Sequence, residues 1–149
     1  MEVLIEPCVV QETWFLEIYP ELVRCKNIVL ICSEDDQSKR EMTEAALKRY
    51  AEFRRLKGRS KVVSREDVEP IRIEICNNDE FEAHDACDDP HIFAISLLCG
   101  VFFVFTRDER MGRCKAAMQG SLSPRHRRFI PIVNQNSYRR HRRKMFSHP

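Results

Sequence analysis

Two uninterrupted apolar runs constrain this chain most. NIVLIC at residues 27–32 and VFFVF at 101–105 are rich in β-branched and aromatic residues, and helical patterns flank both. Runs of this kind are the pattern of strands buried on both faces, and such strands need helices over both sides of their sheet. Two shorter strands are expected at residues 2–5 and in FIPIV at 129–133. In IRIEIC, Ile71, Ile73 and Ile75 alternate with polar residues, which predicts a half-exposed strand near a sheet edge.

Helical patterns fill the intervals. Trp14, Phe15, Ile18, Leu22 and Val23 recur at near-helical spacing, with Pro20 expected to divide them. Ser33 is the expected N-cap of one long helix reaching Leu56, with Gly58 as its stop. Pro90 suits a first helical position, making Asp89 the N-cap of HIFAISLLC, which Gly100 ends. Thr106 and Glu109 have capping-box spacing ahead of a helix containing KAAM. The order β-α-β-α-β-α-β-α-β implies an α/β fold. Its expected form is a three-layer α/β/α arrangement around a central, mostly parallel sheet of about five strands. Residues 1–133 are read as one domain and 134–149 as a basic C-terminal tail.

Composition narrows the class. A chain of 149 residues, 43% apolar, is large enough for one real core. No apolar run approaches the roughly 20 residues of a membrane span. MEVLIEPCVV lacks a basic segment and a small-residue cleavage site, so a cytoplasmic protein without a signal peptide is expected. The seven cysteines are odd in number and never spaced C-x-x-C, against a zinc ribbon and against a fully paired disulfide framework. A single structural disulfide is left open. There is no G-x-G-x-x-G, Walker loop or G-x-S-x-G. His84 and His91 flank an acidic cluster without zinc-site spacing, and His91 is read as a helix-start residue.

Charge is polarised along the chain. Residues 1–109 hold 14 Lys/Arg against 23 Asp/Glu; residues 110–149 hold 11 Lys/Arg and no acid. The basic end suits a polyanion. The acids gather at the carboxyl ends of expected strands, where α/β sheets build sites. Glu6 follows the first strand, Asp85, Asp88 and Asp89 precede an apolar helix, and Asp108 follows VFFVF. Carboxylates brought together from separate loops suit hard divalent ions such as Mg²⁺ or Mn²⁺, which favour phosphodiester hydrolysis.

DDPHIFAIS followed by GVFFVFTRDER resembles the second half of a PIN domain, a family of small α/β metal-dependent ribonucleases that includes toxins of toxin–antitoxin pairs. The resemblance implies a doubly wound parallel sheet and four acidic ligands. Asp89 matches the family's third acid, with Asp88 beside it, and Asp108 the fourth. Glu6 stands where the family has its first Asp. Glu41 is the choice for the second acid, with Glu34 and Glu44 as alternatives. The resemblance further implies Mg²⁺ or Mn²⁺, an RNA substrate, an antitoxin protein and a homodimer as partners, and no membrane. RNA contacts are expected from Arg125, Arg127, Arg128, Arg139, Arg140, Arg142, Arg143 and Lys144. Arg107 and Arg110 are placed either to contact phosphate or to pair with the acids. The alternative reading is a catalytically degenerate PIN-like module that binds RNA or a protein. A response-regulator-like receiver needs an acid pair after the first strand, and MEVLI has none after it.

Overall fold

A computed structural model describes residues 1–118, 120, 122–123 and 128–147. The strands are β1 (Glu2–Ile5), β2 (Val29–Ser33), β3 (Ser60–Val63), β4 (Phe103–Phe105) and β5 (Ile130–Ile132). They form one sheet, ordered β3-β2-β1-β4-β5, with every pairing parallel. Eight helices flank it among the described residues: α1 (Thr13–Arg24), α2 (Asp36–Glu41), α3 (Glu44–Arg55), α4 (Arg65–Cys76), α5 (Asp79–Ala83), α6 (Pro90–Cys99), α7 (Met111–Ala117) and α8 (Gln135–Phe146).

The pleat divides the core into two. Val3, Ile5, Leu30, Phe103 and Phe105 face one way and pack against Phe15 and Leu22 of α1, Phe53 of α3, and Tyr138 and Met145 of α8. Leu4, Ile31, Val63 and Val104 face the other way, against Val68 and Ile75 of α4, Phe93 of α6 and Met111 of α7. The result is the expected three-layer α/β/α fold. At the amino edge, buried Arg59 holds the layers together, its guanidinium donating to the backbone carbonyls of Leu22, Val23 and Ile28.

Several expected elements differ. IRIEIC is the end of α4, not a strand. Ser64 caps that helix by accepting from the Asp67 amide at 3.2 Å. Val68 and Ile75, seven residues apart, share its buried face. The edge strand is instead the preceding SKVV. Pro20 lies inside an undivided α1, because Phe15, Ile18, Tyr19 and Leu22 bury one continuous face across it. The expected long helix breaks into α2 and α3, because Met42 and Thr43 are extended and Thr43 caps α3. The cap of α2 is Asp35, which accepts from the Gln37 and Ser38 amides, not Ser33. Thr106 caps no helix; its hydroxyl accepts from the Asp108 amide and α7 begins at Met111. Gly100 ends α6 in the left-handed conformation, as expected.

The stretch read as a basic tail contains α8. Asn134 and Ser137 form its capping box, and Tyr138 donates to Glu21 of α1. Cys87 and Cys114 form a disulfide. No helix among the described residues is long and apolar enough to cross a membrane.

Candidate metal centre

The chain leaves β1 toward β2 and β3 on one side, then returns to β4 and β5 on the other. The crevice beyond the carboxyl ends of β1 and β4 is therefore a topological switch point, where open α/β sheets bind ligands. Glu6 is the first residue past β1, and its amide donates to Phe105 of β4 at 2.9 Å. Asp108 follows β4, Asp89 stands at the start of α6, and Glu41 ends the short α2. The break after α2 is what brings the chain end carrying Glu41 to a stop at this rim.

These four acids line one open depression of about 300 Å³, together with Thr43 and Thr106. Carboxylate oxygens of Asp88, Asp89 and Asp108 lie within 4.8 Å of one another. So do one oxygen each of Glu6 and Asp89 and a ring nitrogen of His91. Asp89 belongs to both groups. It occupies the N-cap position of α6 yet makes no capping hydrogen bond. Gln37 donates to Glu41 Oε1 at 3.0 Å and reaches Asp89 Oδ1 at 3.4 Å, tying α2 to α6.

Crowded carboxylates with little solvent cannot all stay charged. Glu6 is 5% exposed, and its Oε2 is buried without a hydrogen-bond partner. Burial, then the charges of Asp89, Glu41 and Asp108, push its pKa up to about 8, against the pull of the Thr106 hydroxyl. Burial, then Asp88, Glu41 and Asp108, push Asp89 up to about 7. A divalent cation would supply the missing countercharge and the missing partner for Glu6 Oε2. The oxygen-rich donor set fits Mg²⁺ or Mn²⁺.

The other expected residues scatter. Glu34 is exposed, its amide bonded to Val63 of the edge strand, and Glu44 pairs with Lys48 on the outside of α3. Asp85 is fully exposed beside His84. Arg110 pairs with the acids: Nη2 bonds Asp88 and Nε lies 3.0 Å from Asp108 Oδ1. Arg107 extends toward Glu12 instead. Arg142 is committed to Glu21, while Arg128, Arg139, Arg140, Arg143 and Lys144 are exposed. Arg125 and Arg127 lie outside the described residues.

Sequence reading missed two features. His91 is buried among the acids, two residues after Asp89; its position at the start of an apolar helix was the available signal. The Cys87–Cys114 disulfide joins the loop before Asp88 to the helix after Asp108, and a separation of 27 residues gave no spacing signal. Comparisons with family models, with curated proteins and with solved structures find no match for this chain.

Proposed function

We propose that this protein is a metal-dependent endoribonuclease of the PIN type. In this reading Glu6, Glu41, Asp89 and Asp108 hold one or two Mg²⁺ or Mn²⁺ ions, with Asp88 in support. The observation that carries it is the convergence of acids from four separate segments at the switch point of a parallel sheet. When bound, such an ion polarises a phosphate and lowers the pKa of a coordinated water.

The remaining work falls to the chain. Asp88, Asp89 and Asp108 fix the charge that localises the cation. Thr106 orients the Asp108 loop through the Asp108 amide, 2.9 Å from its hydroxyl. Arg110, 46% exposed at the rim, exchanges an acid for an incoming phosphate. The exposed cations of α8 supply the salt-sensitive attraction for an RNA backbone.

The experiment is cleavage of structured RNA with Mn²⁺ by the wild type and by an Asp89→Ala/Asp108→Ala variant. Cleavage by the wild type alone is expected. Equal cleavage by both assigns the activity to another site or to a contaminant.

A second reading is a lapsed PIN-like module that binds RNA without cutting. Two points favour it: the PIN resemblance puts Glu6 where the family has an Asp, and Arg110 already pairs with Asp88 and Asp108. It predicts salt-dependent RNA binding that is unchanged by chelation.

A further inference from the structure

His91 is the one imidazole in the acidic centre among the described residues. It is 2% exposed. Its Nδ1 has no hydrogen-bond partner, and its Nε2 stands 3.6 Å from Glu41 Oε2, beyond hydrogen-bond reach. One ring nitrogen lies within 4.8 Å of carboxylate oxygens of both Glu6 and Asp89. Glu6, a residue of the same cluster, also has a buried, unpartnered atom, Oε2. Buried polar atoms are normally satisfied, so an unpartnered atom on each of two residues of one cluster points to a ligand there. A cavity of about 20 Å³ adjoins Glu6 and His91; Ser33, Ser38 and Glu41 are its other charged or hydroxyl-bearing aliphatic lining, apolar residues and Tyr50 make up the rest, and Asp89 does not line it. That volume holds about one water-sized particle.

A neutral imidazole offers a ring-nitrogen lone pair to a metal ion. An imidazole donor alters which ion is preferred. Carboxylates alone suit Mg²⁺ and Mn²⁺, whereas imidazole favours ions later in the first transition row.

We infer that Glu6, Asp89 and His91 form a mixed carboxylate–imidazole cation site that selects an imidazole-binding first-row ion such as Zn²⁺ over Mg²⁺. The inference rests on the acidic cluster being a cation centre and adds a third kind of ligand and the class of ion. Glu41 faces the same ring, its Oε2 3.6 Å from Nε2.

The test is calorimetric titration of the full chain with ZnCl₂, MnCl₂ and MgCl₂, for the wild type and for His91→Gln. Zn²⁺ is expected to bind the wild type more tightly than Mg²⁺. His91→Gln is expected to weaken Zn²⁺ by about 10–100-fold while changing Mg²⁺ little. Ion binding with the same selectivity in both proteins overturns the inference and leaves the cation centre standing. No binding of any of the three ions by the wild type overturns both. Because His91 is buried, a second measurement avoids replacing it. A variant that keeps His91 and carries Gln at the other four histidines is loaded with one equivalent of Mn²⁺. A nitrogen coupling in its pulsed electron-spin spectrum supports ligation by His91, and its absence overturns it.

Discussion

Asp89 and Asp108 stand 19 residues apart in the chain, on either side of helix α6 and strand β4, yet their carboxylate oxygens come within 4.8 Å. Neither needs the other for local structure. Asp89 makes no cap, and Asp108 accepts its backbone bond from Arg110 two residues on. Their meeting is a consequence of the sheet: β4 lies beside β1, so the loops leaving β1, entering α6 and leaving β4 share one rim.

That rim is expected to make the protein sensitive to alkali when no cation is bound. The folded chain holds the Glu6 proton up to about pH 8, whereas the unfolded chain releases it near 4.5. Between those values the folded state binds more protons, so stability falls as pH rises, and the loss is complete above the folded pKa. Asp89 acts with the same sign from 3.8 to about 7. Thermal melting in chelator is expected to give a higher midpoint near pH 5 than near pH 8.5. Glu6→Gln raises the alkaline midpoint, by on the order of 1–3 kcal/mol in stability, and leaves the acidic one little changed. An alkaline melt unmoved by Glu6→Gln removes the buried-carboxylate explanation.

Much of this arrangement was legible. The runs at 27–32 and 101–105 read as interior strands, the rule that α/β sites lie beyond carboxyl ends pointed to Glu6, the Ser33–Asp36 turn, the Asp85–Asp89 cluster and Asp108, and the PIN resemblance chose Glu6, Asp89 and Asp108 among them. IRIEIC was not legible, because residues 71 and 75 satisfy a period of two and a helical period together. Ile73, more than half exposed, shows which period the fold obeys. The edge strand SKVV carried little signal, since Lys61 and Val62 face solvent. His91 and the disulfide depend on contacts between distant segments, which no local pattern encodes.

Arg59 offers a test of the fold that is independent of the centre. Its guanidinium serves three carbonyls at the amino edge, opposite the acidic rim. Arg59→Met leaves those carbonyls unpaired and is expected to cost on the order of 3 kcal/mol in urea unfolding. Divalent-ion affinity in the folded variant is expected to be unchanged. Coupled loss of ion binding contradicts the separation of the two edges.

The disulfide bears on both stability and the centre. Cys87 adjoins Asp88, and Cys114 lies in α7 beyond Asp108, so the bond tethers the two acidic segments. Cys87→Ser/Cys114→Ser is expected to lower stability by about 2–4 kcal/mol, read by denaturant unfolding without reductant. Ion affinity falls as well, because Asp88 and Asp89 are then held to Asp108 by packing alone. An unchanged ion affinity in the folded double variant shows that the tether serves stability only.

Calorimetric titration of the chelator-stripped protein with Mn²⁺, beside an Asp89→Asn/Asp108→Asn variant of equal helix content, probes the centre most directly. Saturable binding by the wild type, abolished when both acids become neutral amides, is the expected result. Equal Mn²⁺ affinity in the two proteins contradicts a cation held between α6 and β4, and the proposed nuclease chemistry with it.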